Sequence, residues 1–178
     1  MTLPCGTEVP ALADVSHIFM MCPAVRPAVD WLCQLWARIA PSDDPVPVDA
    51  RVLLLGDLSV WRPGGGHGPE GLWLHVRLLF ARAVWWLTGG RTGPAGAEGW
   101  RAVVAATSTW LARAIRQDWM RVSAALPGAR ILPSWCVQER ALQLTQEQFR
   151  DRWCINDVLA HIASAAAGDP RLQVHVPQ

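Results

Sequence analysis

The spacing of apolar residues along the chain predicts a protein made mainly of α-helices. Apolar side chains recur at helical spacing from about residue 27 to residue 40, and Pro27 suits the first turn of a helix. A second segment, residues 70–88, is apolar nearly all round, as is typical of a helix at the centre of a core. The pattern also predicts a long helix over residues 97–125 and a short one through residues 17–21.

The C-terminal part of the chain carries signals for short elements. Thr145 and Gln148 have the spacing of a capping box, which predicts the start of a short helix. Farther on, apolar residues alternate with other residues over 158–162 and again over 172–176, with Gly-Asp-Pro between them. This alternation is compatible with a small β-hairpin or with a helix followed by one strand.

Together these elements predict a mainly α, compact helical domain of about four to six helices, with a loop-rich N-terminal element and a small C-terminal β-hairpin. At 178 residues, the chain is long enough to bury a substantial core as a single domain. Within that domain we expect a knuckle-like element in residues 1–24, a helical core in residues 25–126 and a C-terminal extension in residues 127–178.

The composition supports a folded chain and limits the way in which it can bind nucleic acid. Hydrophobic residues make up 51% of the chain and charged residues 17%, which excludes a disordered protein. Eleven residues are tryptophan, and some of these are expected at the edge of the core or at an interface. Because the net charge is only +1, any nucleic-acid site must be a local patch.

The basic residues other than histidine are all arginines, sixteen in number. Codon usage in a GC-rich genome explains this bias, and selection for bidentate phosphate recognition by guanidinium groups is the alternative. The five cysteines contain no CxxC pair, so we expect reduced thiols and an intracellular protein, whether nuclear, cytoplasmic or organellar. The most apolar segment contains His75, Arg77 and Arg82, and it is better explained as a buried helix than as a membrane span.

The common catalytic motifs are missing from the sequence. A phosphate-binding GxxxxGK[ST] loop requires lysine, and neither GxSxG nor HExxH occurs. The glycines at 64–66 follow no clear strand, and Asp43 with Asp44 lies between prolines in a connecting segment. We therefore expect no enzymatic activity.

Cys5, His17 and Cys22 form the one constellation with the chemistry of a metal site. Histidine and cysteine five residues apart lie just over one helical turn from each other, so both side chains can reach one ion. A structural zinc site normally has four protein ligands, and the position of a first CxxC cysteine is occupied by Thr2. The alternative is that His17 and Cys22 simply pack beneath the first helices.

The segments "LPCGTE" and "VSHIFMMCPAVRPAVDWLCQLW" resemble the C-terminal zinc-knuckle region of non-LTR (LINE-type) retrotransposon reverse transcriptases. In that family a C-P-x-C-G pattern is followed by histidine, then by cysteine and proline, and then by a helix containing tryptophan. The later segments "WLARAIRQDWMRV" and "QFRDRWCINDVLAHI" are similar to the tail of such elements of green-algal type. The motif-bearing part of the resemblance is the first thirty or so residues.

The resemblance implies that Cys5, His17 and Cys22 correspond to the second, third and fourth zinc ligands, with Thr2 in place of the first. It also implies a domain that acts after the polymerase and helps to hold template RNA or target DNA, with no reaction of its own. A domesticated fragment is the related alternative. In that case the chain is a structural subunit of a larger intracellular assembly, such as an organellar ribosome, and acts through protein–protein and RNA contacts.

The long third helix is the candidate surface for nucleic acid. Its predicted inward face consists of Trp100, Val103, Val104, Thr107, Leu111, Ala114 and Ile115. The residues proposed to contact nucleic acid are Arg101, Arg113, Arg116 and Arg121, with Trp110 and Trp119 between them. Arginines contact phosphates and exposed tryptophans stack on unpaired bases. The alternative is that these arginines only solvate an amphipathic helix.

Overall fold

The computed structural model of the chain describes residues 17–41, 51–55, 70–89, 99–124, 144–164 and 170–177. In these ranges there are four α-helices and one antiparallel pair of strands: α1 (Arg26–Ile39), α2 (Glu70–Gly89), α3 (Gly99–Ala124), α4 (Gln146–Trp153), β1 (Ala160–Ser164) and β2 (Pro170–Val174). The described ranges also contain three short helical turns: two π-helical turns, His17–Met21 and Arg51–Leu55, and a 3₁₀ turn, Ile155–Asp157. The predicted mainly α fold with a C-terminal hairpin is confirmed.

The chain divides into two compact units, and the boundary lies between Trp110 and Leu111, inside α3. The first unit contains α1, α2 and the first part of α3, and the second contains the rest of α3, α4 and the hairpin. The single domain with three regions, expected from the sequence, stays a prediction.

Helix α1 begins where the sequence predicts it, with Pro27 in its first turn. One face of the helix is apolar and buried: Ala28, Val29, Leu32, Leu35, Trp36 and Ile39. The indole of Trp36 packs on that of Trp73 in α2, with ring centroids 4.9 Å apart and planes inclined at 56°. This pair of large aromatic side chains joins the two helices in the core of the first unit.

Helix α2 has one buried face and one exposed face, although its sequence predicts burial nearly all round. The buried face contacts α1 and both π-helical turns, and it consists of Leu72, Trp73, Val76, Phe80, Ala83 and Val84. The opposite face leaves large apolar side chains in solvent: Leu74, Leu78, Trp85 and Trp86. The expectation of a helix buried nearly all round is therefore wrong, because the side chains of Leu78, Trp85 and Trp86 are each more than half exposed.

A half-buried arginine on α2 holds the second π-helical turn in place. The Nη1 group of Arg77 donates hydrogen bonds to the carbonyl oxygens of Leu53 and Leu54, both at 3.1 Å. These carbonyls lie at the end of a helical turn, where backbone acceptors have no partner within the turn. Burial lowers the pKa of Arg77, but a guanidinium keeps its proton in proteins. Arg77 therefore satisfies the backbone of a turn that buries Val52 and Leu53.

Helix α3 confirms the inward face predicted for it. Most of the predicted residues are buried, and Trp100 and Ala114 are half-buried. The polar member of that face, Thr107, is fully buried, and its hydroxyl donates a 2.8 Å hydrogen bond to the carbonyl oxygen of Val103. The buried hydroxyl of Thr107 therefore has a hydrogen-bond partner, which allows a polar residue on the buried face of the helix.

Helix α4 starts at the predicted capping box. The backbone N–H of Gln148 donates to the hydroxyl of Thr145 at 3.1 Å, and the backbone N–H of Thr145 donates to the side-chain oxygen of Gln148 at 2.9 Å. Two of the donors that a helix N-terminus leaves open are thereby satisfied. The short helix buries Phe149 and Trp153 in the second unit.

The C-terminal strands form the hairpin, and not the helix and strand that the sequence also allowed. Asn156 and Asp157 have positive φ angles of 49° and 53°, a conformation that these two residue types tolerate, and they lie between α4 and β1. The register pairs Ala160 with Val174 and Ile162 with Leu172, so the two alternating apolar sets meet across the strands. A 2.9 Å bond from the N–H of His175 to the carbonyl of Leu159 extends this pairing.

Among the helices in the described ranges, none combines the length and the apolar character needed to cross a lipid bilayer.

Candidate nucleic-acid interface and zinc ligands

Of the three predicted zinc ligands, the structure describes the side chain of Cys22. Cys5 lies outside the described residues, and His17 is described only as the first residue of a π-helical turn. The side chain of Cys22 is 1% exposed, and its carbonyl accepts hydrogen bonds from the N–H groups of Val25 at 2.8 Å and Arg26 at 2.9 Å. These bonds form the turn that leads into α1, so Cys22 is held at a fixed point in the backbone.

The described residues alone do not supply a complete ligand set for a metal. Within the described ranges, no group of three or more histidine, cysteine, aspartate or glutamate side chains converges. Cys22, Cys33 and Cys154 are thiols that form no disulfide. Burial raises the pKa of the Cys154 thiol and the nearby Asp157 raises it further, whereas Arg150 lowers it. Zinc binding through Cys5, His17 and Cys22 stays a prediction.

The zinc prediction can be tested by comparing two cysteine variants. If the three residues form the knuckle, protein purified without chelator contains about one zinc ion per chain by elemental analysis. Cys22→Ser is then expected to lose the metal, because serine does not replace a thiolate ligand. Cys33→Ser, which changes another thiol in the same region, is expected to retain it. Equal metal content in the two variants would exclude Cys22 as a ligand.

The four arginines predicted to contact nucleic acid are all exposed on α3, but they are engaged to different degrees. Arg101 lies over the ring of the neighbouring Trp100, with its guanidinium carbon 5.5 Å from the ring centroid. Arg121 donates to the carboxylate of Asp118 at 3.1 Å. Among the described residues, neither Arg113 nor Arg116 has an ion pair or a hydrogen bond through its side chain. Arg113 and Arg116 therefore remain available to an external anion.

A buried carboxylate accounts for the different state of Arg121. Asp118 is 7% exposed, and it accepts hydrogen bonds from Arg121, from Arg152 at 3.2 Å and from the indole N–H of Trp153 at 2.9 Å. Three donors offset the cost of desolvating this carboxylate. The site joins α3 to α4 within the second unit. Sequence reasoning missed it, although the i, i+3 spacing of Asp118 and Arg121 was a visible signal.

The two tryptophans predicted to stack on bases are both half-buried. Trp119 packs edge-on against Phe149, with ring centroids 5.1 Å apart. Trp110 lies 6.5 Å from the ring of Trp86, in an edge contact, and the guanidinium carbon of Arg82 lies 4.9 Å from its centroid. The surroundings of Trp110 and Trp119 thus cover part of each ring.

The most exposed tryptophans among the described residues are Trp85 and Trp86, which the sequence did not single out. The exposure of Trp85 and Trp86 was not predicted because α2 is apolar on nearly every side, so its sequence does not indicate which face is buried. The available signal was their position opposite the row that contains Trp73, Val76 and Phe80.

The described ranges of the second unit contain six arginines and four carboxylates. One of these carboxylates, Asp118, forms ion pairs with two of the arginines. Arg113 and Arg116 lie one helical turn apart, where Cβ atoms are separated by about 5–6 Å. The pair can bind an anion through forked N–H donors without breaking a contact inside the protein.

A scan of protein-family models and searches of curated proteins and of solved structures found no match to this chain.

Proposed function

We propose that this chain is a non-catalytic nucleic-acid-binding accessory domain, derived from the region that follows the polymerase in a LINE-type reverse transcriptase. RNA is the proposed main ligand. The observation that supports this proposal is the pair of exposed guanidinium groups on α3, Arg113 and Arg116, which make no ion pair with the described carboxylates.

The contrast between the arginines of the second unit supports a role for this pair. Arg121 and Arg152 are positioned by Asp118, so their charge is offset within the protein. Arg113 and Arg116 carry charge that no described side chain offsets, on the face of α3 opposite its buried row. A guanidinium binds a phosphate through two parallel hydrogen bonds, and each phosphate contact releases counterions from the nucleic acid. Two such residues form a local patch, as a net charge of +1 requires.

The double substitution Arg113→Ala with Arg116→Ala is expected to weaken RNA binding and its dependence on salt. For single strands, the logarithm of the binding constant falls by about 0.7 for each phosphate contact per tenfold increase in salt. Loss of two contacts should therefore reduce the magnitude of that slope by about 1.4. Fluorescence anisotropy of a labelled single-stranded RNA, titrated at several salt concentrations, measures this change.

The matched control is Arg26→Ala with Arg38→Ala, which removes the same charge from two exposed positions on α1. Arg26 forms only an exposed ion pair with Asp30, at 3.2 Å, so stability should change by less than about 1 kcal/mol. The control should keep the wild-type salt slope. A wild-type slope near zero, or equal slopes for the two double variants, would contradict the proposed function.

A further inference from the structure

The exposed face of α2 presents two neighbouring indoles to solvent. Trp85 is 62% exposed and Trp86 is 61% exposed, whereas Trp73 on the opposite face is fully buried. Leu78, on the same side as Trp85, is 57% exposed. Tryptophan has a large apolar surface. A ligand that covers two adjacent exposed rings therefore gains binding free energy from removing this surface from water.

The surroundings of these rings suit a flat aromatic ligand. Trp86 meets Trp110 edge to face, at 65° and 6.5 Å, so its position is set by a neighbouring ring. Trp85 makes no ring contact with another described residue. At least one large planar face is therefore open to stacking, and it is carried by a helix and not by a loop.

A cation lies beside the two indoles. Arg82 precedes Trp85 by three residues and Trp86 by four, which puts all three side chains on adjoining parts of the helix surface. Its guanidinium is exposed and lies over the ring of Trp110, with the 4.9 Å separation of a cation–π contact. Among the described residues, it has no ion-pair partner. Arg82 is therefore oriented by an aromatic ring and can still bind an anion.

The charge around this cluster favours a polyanion as its ligand. Among the described residues, neither residues 71–87 of α2 nor residues 99–110 of α3 include a carboxylate. A ligand that presents both a planar aromatic group and a nearby negative charge matches indoles beside an arginine. An unpaired nucleotide has both features, because each base is followed by a phosphate.

We propose that Trp85 and Trp86 stack on unpaired bases of a single-stranded nucleic acid while Arg82 contacts its backbone. This inference rests on the proposed function, and it names the form of nucleic acid that the chain prefers. The residues belong to the first unit, whereas Arg113 and Arg116 belong to the second. Base stacking by Trp85 and Trp86 can therefore be removed separately from the phosphate contacts of Arg113 and Arg116.

The experiment compares two probes that differ only in their bases. One is a labelled single-stranded RNA of about 16 nucleotides, and the other is an abasic strand of the same length and charge. Wild-type protein should bind the base-containing strand about thirtyfold more tightly, which corresponds to two stacked bases at the lower end of the range for base–aromatic stacking. Trp85→Ala with Trp86→Ala should remove this difference and leave binding to the abasic strand unchanged.

Two further variants separate stacking from general apolar contact. Trp85→Phe with Trp86→Phe keeps aromatic faces and should retain most of the preference for bases. Leu78→Ala removes an exposed apolar side chain from the same face and should leave the preference unchanged. Thermal melts followed by circular dichroism should show that each variant is folded, since every changed residue is exposed.

Each other outcome has a defined meaning. If the probes bind equally and both depend on Arg113 and Arg116, the stacking inference is wrong while the proposed function stands. If neither probe binds, both are wrong. If the tryptophan and Leu78 variants leave RNA affinity unchanged but convert an oligomer into a monomer in light scattering, the surface binds a second copy of the chain, and the inference is overturned.

Discussion

Replacing Trp73 by alanine is expected to destabilise the first unit by about 3–5 kcal/mol, the usual cost of truncating a buried tryptophan. The side chain is fully buried on α2 and packs on Trp36 of α1. Removing it leaves a cavity between two helices and also removes the aromatic contact. Denaturant unfolding followed by far-ultraviolet circular dichroism measures the loss.

The control for this substitution is Leu78→Ala on the same helix. Leu78 is largely exposed, so its truncation should change stability by less than about 0.5 kcal/mol. Because the chain contains two compact units, unfolding need not be a single transition. Hydrogen exchange measured on peptides of α1 and α2 therefore locates the effect. Unchanged protection in these peptides after Trp73→Ala would contradict the packing described for the first unit.

Replacing Asp118 by alanine is expected to destabilise the second unit by about 2–3 kcal/mol. The substitution removes three hydrogen bonds to a buried carboxylate, and the indole N–H of Trp153 loses this acceptor inside the unit. The two arginines recover part of the cost, because their side chains are 42% and 51% exposed and can be hydrated. Asp118→Asn should be milder, since an amide oxygen still accepts from the indole.

Asp151→Ala is the control for the second prediction, because it removes an exposed carboxylate from α4. Its effect should stay within about 0.5 kcal/mol. A double-mutant cycle between Asp118→Ala and Arg152→Ala then isolates the coupling between α3 and α4. A coupling energy near zero, together with equal stability of the Asp118 and Asp151 variants, would show that the buried carboxylate does not hold the two helices together.

The parts of the fold that depend on nearby residues were predictable from the sequence. Helix α1 begins within one residue of the predicted start, and the capping box at Thr145 and Gln148 forms as expected. The alternation over residues 158–162 and 172–176 allowed the hairpin as one of two alternatives, and the structure pairs Ile162 with Leu172. In each case the signal lies in residues only a few positions apart, so local periodicity and capping determine the structure.

The parts that depend on distant residues were not predictable. Asp118 accepts hydrogen bonds from Arg152, which is 34 positions away in the sequence, and from Trp153, which is 35 positions away. No local sequence pattern predicts these contacts. The same limit applies to the candidate sites. Exposure of Arg113 and Arg116 followed from the helical pattern, but the engagement of Arg121 did not. The open faces of Trp85 and Trp86 required knowledge of which side of α2 its neighbours cover.

The small hairpin also bears on the behaviour of the protein at high concentration. In the described part of the chain its sheet has two strands, so each strand has one edge that could pair with another molecule. Strand β2 starts at a proline, which cannot donate a ladder hydrogen bond, and its exposed positions are Arg171 and Gln173, followed by His175. A strand that begins with proline and exposes arginine and glutamine is a poor template for edge-to-edge association, so the open edge of β2 disfavours the growth of aggregated β-structure.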